Sequence, residues 1–288
     1  MNARGEKLEQ IIHWAENNPD VRAVLLTSSL VNPYAPVDDF SDLDVELVFE
    51  KKHLYEINKE WIFLFGDPVS MIEEKDSFFE GKHAMKMVLY TDHVKVDFKL
   101  YQKSEFIKEV QADLLPEDWD VGYRVLLDKD AITKHIKSPT YQSIMIKKPD
   151  EEQFQKLLND FWWDVTYVVK CLKREDIFYA KFMSENVIRI EYLVPLLEWH
   201  IAGQYDWENI TTNKHGRLFK KYLSPDWWKR VEATFSGSNI EENWIALLAS
   251  ADLVHEIGLD LSHKLNFIYP LDLENKTRTY LHEVRSKP

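Results

Sequence analysis

The chain of 288 residues is 45% hydrophobic and 30% charged, a composition that supports an ordinary buried core and a length that favours two domains. Its formal charge of −13 would repel a nucleic-acid backbone and attract a polycation, which argues against a nucleic-acid-binding protein. The charged N-terminus predicts no secretory signal and no apolar run is long enough to span a membrane, so we expect a cytoplasmic protein, monomeric or homodimeric, with no membrane partner.

The first half alternates between helical and strand-like patterns. Apolar residues at helical spacing predict helices over residues 6–16 and 104–114. Short apolar or alternating runs predict strands at 21–26, 43–49, 69–72, 85–90, 94–101 and 123–127, the last as an edge or final strand. Two prolines within residues 32–40 mark a loop, and the short Thr91-Asp92-His93 connection predicts a hairpin.

The second half is helical in pattern. Residues 138–150 contain two prolines and mixed polarity, so we place a linker there, which divides the chain into domains 1–145 and 146–288. Helices are predicted at 154–171, 175–200 with a kink at Pro195, 213–223, 225–235 and 241–267. Cys171 is the only cysteine and lies in an apolar helical pattern, which indicates a buried, inert thiol. The fold class is therefore α+β, a mixed sheet with flanking helices followed by a helical bundle.

Acidic side chains share one face of the strand at 43–49. Because side chains alternate along a strand, the apolar residues point into the core while Asp42, Asp44 and Glu46 point away from it. Two neighbouring carboxylates repel each other unless a cation compensates, and Mg²⁺ takes carboxylate oxygens together with phosphates. An Asp-x-Asp pair on its own is more often a solvated loop or strand end, so further residues are needed to support a metal site.

A third carboxylate occurs in the strand at 94–101. Lys95, Asp97 and Lys99 face away from the apolar residues of this strand. If the two strands are neighbours, Asp97 joins Asp42 and Asp44 on one surface at the mouth of a cleft between the two halves. Three carboxylates can hold one or two metal ions, and we expect two, which would clamp the attacking and leaving oxygens of a phosphoryl transfer.

The order of these motifs resembles the nucleotidyltransferase superfamily of the DNA polymerase β type, and more closely the aminoglycoside 6-adenylyltransferases, which modify streptomycin. The similarity extends over nearly the whole chain. In the first half it rests on Thr27-Ser28-Ser29, Val31-Asn32-Pro33, Phe40-Ser41-Asp42-Leu43-Asp44, the segment from Trp61 to Gly66, Val96-Asp97-Phe98 and the strand from Val125 to Asp130. In the second half it rests on Phe161-Trp162, Tyr167 to Lys170, Arg174-Glu175, Arg189, Trp199, Lys214 and the segment from Leu265 to Pro270.

This resemblance implies transfer of AMP from Mg-ATP to a hydroxyl of a small cationic acceptor such as an aminoglycoside, with release of pyrophosphate. It implies that Asp42, Asp44 and Asp97 are catalytic metal ligands. Ser28 and Ser29 would bind the triphosphate.

The helical half would supply the remaining groups. Lys214 would approach the triphosphate as a point charge. The acceptor hydroxyl needs a general base, and Glu191 is our first candidate, ahead of Glu185 and Asp164. For each of the three taken alone, a solvated or ion-paired helix residue is the favoured interpretation.

The chain departs from the family pattern at four positions. Ser28 stands where the family has glycine, Leu30 where arginine is common, Asn213 where a glycine precedes the lysine, and Glu46 where an apolar residue is usual. Three alternatives therefore accompany the main hypothesis. These are a nucleotidyltransferase for another small-molecule or protein hydroxyl, a silent relative that binds a nucleotide or cationic ligand, and an acidic helical interaction protein.

Overall fold

The computed structural model describes residues 2–287, and its contacts divide the chain into two compact units, Met1–Ile144 and Met145–Pro288. The first unit combines a six-stranded sheet with helices, and the second is helical. The predicted α+β class is confirmed.

One mixed sheet organises the first unit. Its strands are β1 (Val21–Thr27), β2 (Leu43–Phe49), β3 (Pro68–Glu74), β4 (His83–Tyr90), β5 (Lys95–Gln102) and β6 (Tyr123–Asp128). They lie in the order β3-β4-β5-β2-β1-β6. Only β2 and β5 pair in parallel, and every other neighbouring pair is antiparallel. The six predicted strands, the β4–β5 hairpin and the edge position of β6 are confirmed.

Helices cover both faces of this sheet. They are α1 (Ala3–Asn17), α2 (Lys52–Ile57), α3 (Lys103–Gln111) and α4 (Glu117–Asp120), with 3-10 turns at Ser28–Leu30, Glu60–Phe65, Asp76–Phe79 and Gln142–Ile144. On one face, Ile11 of α1 packs in the same core as Val45 and Phe98. On the other, Phe106 of α3 and Trp119 of α4 form a smaller core with residues of β1, β2 and β5. Strand β2 is therefore covered on both sides.

The second unit packs its helices around one large apolar core. They are α5 (Glu151–Lys173), α6 (Ile177–Phe182), a π-helix (Met183–Leu193), α7 (Val194–Ala202), a 3-10 turn (Lys214–Gly216), α8 (Phe219–Tyr222), α9 (Pro225–Glu232), α10 (Ile240–Leu265) and α11 (Leu271–Ser286). Helix α5 starts with a capping box between Asp150 and Gln153, and its Cys171 is buried and free, as expected. Across residues 2–287, no helix is both long and apolar enough to cross a membrane.

Two helix predictions differ from the structure. The segment predicted as one helix at 175–200 is divided into α6, the π-helix and α7, and Pro195 lies in the first turn of α7. The helix predicted at 213–223 is wrong, because the chain forms a 3-10 turn and then the four-residue α8. Asn213 and His215 have left-handed φ values of 60° and 50°, which are incompatible with a continuous helix.

Gly122 lets the chain cross closely over the segment that follows β1. Its φ is +117°, and a Cβ atom at this position would lie 2.8 Å from the carbonyl oxygen of Val31. Only glycine adopts this backbone conformation without strain and leaves the space. The contact ties the turn between α4 and β6 to the loop that follows the 3-10 turn Ser28–Leu30.

Replacing Gly122 with alanine should destabilise the first unit, because the new methyl meets backbone atoms. We expect a loss of about 1–3 kcal/mol from backbone strain, with a further loss from the clash. The matched control is Gly81→Ala, since Gly81 also has a positive φ, of +80°, but no atom lies within 4 Å of the added Cβ. Urea denaturation measures both variants, and equal losses at the two glycines would contradict the steric argument.

Candidate active site

Two aspartates lie side by side on the parallel strands β2 and β5. Asp44 and Asp97 are Cα partners in the β2–β5 register, and Thr27 at the end of β1 is the partner of Asp44 on its other side. The apolar residues on either side of Asp44 point to the opposite face and belong to the core that contains α1. The strand alternation therefore brings both carboxylates to one surface, as the sequence predicted.

A lysine joins the third aspartate to this pair. Lys95, two residues before Asp97 and on the same face, donates hydrogen bonds to Asp97 Oδ2 at 2.9 Å and to Asp42 Oδ2 at 3.0 Å. Asp42 immediately precedes β2. Its carboxylate is thus linked to that of Asp97 through the Lys95 ammonium group, a contact that the sequence analysis missed.

Asp44 is the site aspartate whose pKa the surroundings shift. Burial raises the pKa of Asp44 to about 6, with further contributions from the negative charges of Asp97 and Asp42. The Ser28 side chain and the positive charge of Lys95 oppose this shift without cancelling it. Ionisation of Asp44 therefore costs more free energy in the folded protein than in the unfolded chain, and a bound cation would offset this cost.

The turn after β1 adopts a conformation that favours glycine. Ser28 has a φ of 62°, in the left-handed region, and starts the 3-10 turn Ser28–Leu30. The N–H groups of Val31 and Asn32 donate back to the carbonyl oxygens of Ser28 and Ser29 at 3.2 and 3.4 Å. The turn therefore holds a serine in a backbone conformation that favours glycine.

A buried ion pair lies further along the same strands. Glu46, the next same-face residue of β2, is almost fully buried and accepts hydrogen bonds from Lys99 Nζ at 3.3 Å and from Trp119 Nε1 at 2.8 Å. Lys99 also donates to Asp118. Burial raises the pKa of Glu46, and Lys99 and Trp119 offset part of that effect. The acidic face of β2 is thus partly buried at Asp44 and fully covered, with Trp119 of α4 in contact, at Glu46.

The donor chemistry of the three aspartates suits a hard cation. Within residues 2–287, no three His, Cys, Asp or Glu side chains are already gathered as a metal site. Two of the aspartate oxygens point at Lys95 instead. Asp97 Oδ1, however, is buried and has no hydrogen-bond partner among residues 2–287, and Asp44 is desolvated beside two like charges. Carboxylate oxygens in this condition fit Mg²⁺, for which oxygen ligands are preferred.

The candidates from the second unit differ in their surroundings. Glu191 is exposed on the π-helix, whereas Glu185 accepts hydrogen bonds from Lys181 at 2.9 Å and Arg189 at 2.5 Å. Asp164 accepts a hydrogen bond from the Tyr192 hydroxyl at 2.5 Å. Lys214 is exposed at the start of its 3-10 turn, and its backbone N–H is capped by the Asn213 side chain. Of the three carboxylates, Glu185 is committed to an ion pair, which makes it the weakest candidate for a base.

Comparison with known proteins identifies the chain as a nucleotidyltransferase. A family model described as streptomycin adenylyltransferase matches residues 1–284, and the chain belongs to this family. The family and the enzyme class that the motifs suggested are both confirmed.

Relatives match along nearly their full lengths. The chain is 28% identical over 274 residues to the aminoglycoside 6-adenylyltransferase of Bacillus subtilis (strain 168), covering 94% of each chain. It is 25% identical over 292 residues to that of Campylobacter jejuni, covering 100% of this chain and 97% of the relative. A crystal structure described as an aminoglycoside 6-adenyltransferase from Bacillus subtilis aligns over 100% of both chains at 24% identity, with a TM-score of 0.48.

Replacing Asp44 with asparagine should stabilise the metal-free protein at high pH. Because the pKa of Asp44 is raised from 3.8 to about 6 by folding, its ionisation destabilises the native state above pH 6 by about 3 kcal/mol. This penalty fades as the pH falls from 6 towards 4, so the stability gain of Asp44→Asn should fade over the same interval.

Urea denaturation in the presence of a chelator, at pH 8 and at pH 4.5, measures this difference. The control is Asp39→Asn, an exposed aspartate in the preceding loop, which should change stability little at either pH. A gain for Asp44→Asn that is the same at both pH values would exclude the electrostatic explanation.

Replacing Ser28 with glycine should also stabilise the fold, since glycine adopts the left-handed region without the steric cost of a Cβ atom. The relief is about 1–2 kcal/mol, reduced by the greater flexibility of glycine in the unfolded chain. The neighbouring control is Ser29→Gly, whose φ is not positive and which should therefore lose stability. Thermal unfolding compares the two variants, and a Ser28→Gly protein that melts no higher than Ser29→Gly would disprove the strain.

Proposed function

We propose that this chain transfers AMP from Mg-ATP to a hydroxyl of an aminoglycoside such as streptomycin and releases pyrophosphate. The observation that carries the proposal is the pairing of Asp44 with Asp97 across two parallel strands, with Asp42 linked to Asp97 at the same end of β2. It occurs in a chain whose residues 1–284 match an adenylyltransferase family. The relatives named as aminoglycoside 6-adenylyltransferases support the acceptor class.

Asp42, Asp44 and Asp97 are the proposed ligands of magnesium, with two ions in the complete site. When bound, the metal supplies positive charge that neutralises the triphosphate and the three carboxylates. The carboxylates hold their positions because two of them are on adjacent strands of a sheet with a core on both faces. Positioning and charge neutralisation supply most of the rate in phosphoryl transfer, so a rigid strand pair suits the reaction.

Ser28 and Ser29 are the proposed phosphate-binding residues. Their hydroxyl groups lie on the turn that leaves β1 next to Asp44, and Ser28 contributes to the environment of the Asp44 carboxylate. A turn of this kind offers hydroxyl and N–H donors to an anion, as small backbone concavities do elsewhere. Lys214 is the proposed point charge from the helical domain.

Residues 1–145 are proposed as the nucleotidyltransferase domain and residues 146–288 as the acceptor-binding domain. In the latter, Glu191 stays the proposed general base because its side chain is exposed, whereas Glu185 is ion-paired with Lys181 and Arg189. Asp164 and Asp160 add negative charge around the neighbouring Tyr192, whose pKa they help to raise after the larger effect of burial. Carboxylates beside aromatic side chains suit a guanidinium or ammonium group of the acceptor.

Pyrophosphate release from Mg-ATP, measured across a panel of aminoglycosides, tests the activity. We expect release with streptomycin and none without an acceptor, with the mass of the product increased by one adenylyl group. Release with a different acceptor only would favour the alternative hydroxyl substrate. Binding of Mg-ATP without release for any acceptor would favour a silent relative, for which the strained Ser28 is the motivating observation.

Asp42→Asn tests the metal-ligand assignment. Loss of one charged ligand should reduce adenylyl transfer by at least about 10²–10³-fold, the effect of removing one electrostatic group from a catalytic site. The control is Asp39→Asn, the same chemical change three residues earlier on an exposed side chain, which should retain activity. Circular dichroism verifies that both variants fold. Full activity in Asp42→Asn would show that the metal assignment is wrong.

A further inference from the structure

Lys95 occupies a position between two of the three site carboxylates. Its ammonium group donates to Asp97 Oδ2 at 2.9 Å and to Asp42 Oδ2 at 3.0 Å. The positive charge of Lys95 also lowers the pKa of Asp44, although the two side chains do not form an ion pair. The positive charge of Lys95 therefore stabilises all three carboxylates. Its ammonium group contacts oxygens that, under the proposed function, bind metal ions.

The compensation that Lys95 provides is incomplete. One ammonium beside three carboxylates leaves two negative charges in the cluster. Asp97 Oδ1 is buried with no hydrogen-bond partner in the described part of the chain, although Lys95 donates to the other oxygen of the same carboxylate. A cluster with a residual charge and an unpartnered oxygen has a higher affinity for a divalent cation than for a monovalent one.

The Lys95 ammonium is also easy to remove from its position. Its side chain is 39% exposed, as is that of Asp42, so it can exchange these carboxylates for water. Lys99, two residues further along β5, provides the contrast. It is 11% exposed and is held by Glu46 and Asp118 beneath α4, where departure would leave a buried carboxylate unpaired.

We propose that Lys95 is the resident counter-cation of the site and that divalent metal binding displaces it from Asp42 and Asp97. This inference rests on the proposed metal role of those two aspartates. In the metal-free protein Lys95 keeps the repelling carboxylates together. It also competes for their oxygens, so the bare site binds metal weakly, and binding is strengthened when a triphosphate contributes further negative oxygens. Lys95 is thus a positioning residue that sets the metal affinity.

Binding of Mn²⁺ in the absence of nucleotide tests the displacement. Titration followed by electron paramagnetic resonance gives the dissociation constant for the wild type and for Lys95→Met. A cation in contact with a carboxylate changes its proton affinity by about ten- to a thousandfold, so we expect Lys95→Met to bind Mn²⁺ at least about tenfold more tightly. Its melting temperature without metal should fall, and the rise on adding Mn²⁺ should exceed that of the wild type.

Lys103→Met is the matched control. Lys103 also bridges two carboxylates, those of Glu50 and Asp130, at 3.2 and 2.7 Å, but outside the site. Its loss should lower the melting temperature without changing the Mn²⁺ dissociation constant. Lys95→Arg should act in the opposite direction to Lys95→Met, because a planar guanidinium holds two carboxylates more firmly and should weaken Mn²⁺ binding. That variant keeps the test decisive even if Lys95→Met does not fold.

The outcomes separate this inference from the proposed function. If Asp97→Asn abolishes Mn²⁺ binding, the metal-ligand assignment stands. If Lys95→Met then binds Mn²⁺ no more tightly than the wild type, the counter-cation role is overturned. A tighter affinity in Lys95→Arg would overturn it as well. Failure of both the wild type and Lys95→Met to bind Mn²⁺ would remove the inference together with the metal assignment.

Discussion

Parallel pairing between β2 and β5 controls the chemistry of the first unit. Its register sets Asp44 against Asp97 and Glu46 against Lys99, while Leu43 and Val45 face Val96 and Phe98 in the core. A slip of one residue would exchange the polar and apolar faces of one strand, so the same apolar packing that stabilises the sheet also fixes where the carboxylates lie. The carboxylates repel each other, and their positions are maintained by the strands and by Lys95.

The strands and the aspartates could be predicted from the sequence because each follows from a local pattern. Alternation in β2 and β5 gives both the strand and the face on which each residue lies, and the site carboxylates are then evident. Their partner Lys95 could not be assigned in this way. It lies on the correct face by alternation, but its contact with Asp42 depends on a parallel pairing between segments about fifty residues apart, which no local pattern specifies.

A signal for that pairing does exist in the two segments. The same-face residues of the first are Asp42, Asp44 and Glu46, and those of the second are Lys95, Asp97 and Lys99. Aligned in parallel, they set an acid opposite a base at both ends and two acids in the middle. Asp44 and Asp97 are the one unfavourable pair in this register, and under the proposed function this is where a metal ion binds. The broken segment after Thr212 has no comparable signal, since it depends on the positive φ values of Asn213 and His215. We find no local signal for the missed π-helix either.

Cys171 is the only cysteine of the sequence and is buried, which makes the protein suitable for labelling at introduced cysteines. It is 3% exposed in the core of the helical unit, and burial raises the pKa of its thiol, so it stays protonated and shielded near neutral pH. A cysteine introduced at an exposed site would then be the only thiol to react readily with a fluorophore or spin label. Two exposed cysteines, one in each unit, can therefore be introduced and labelled without first removing Cys171. The distance between the two labels can then be followed as substrates bind.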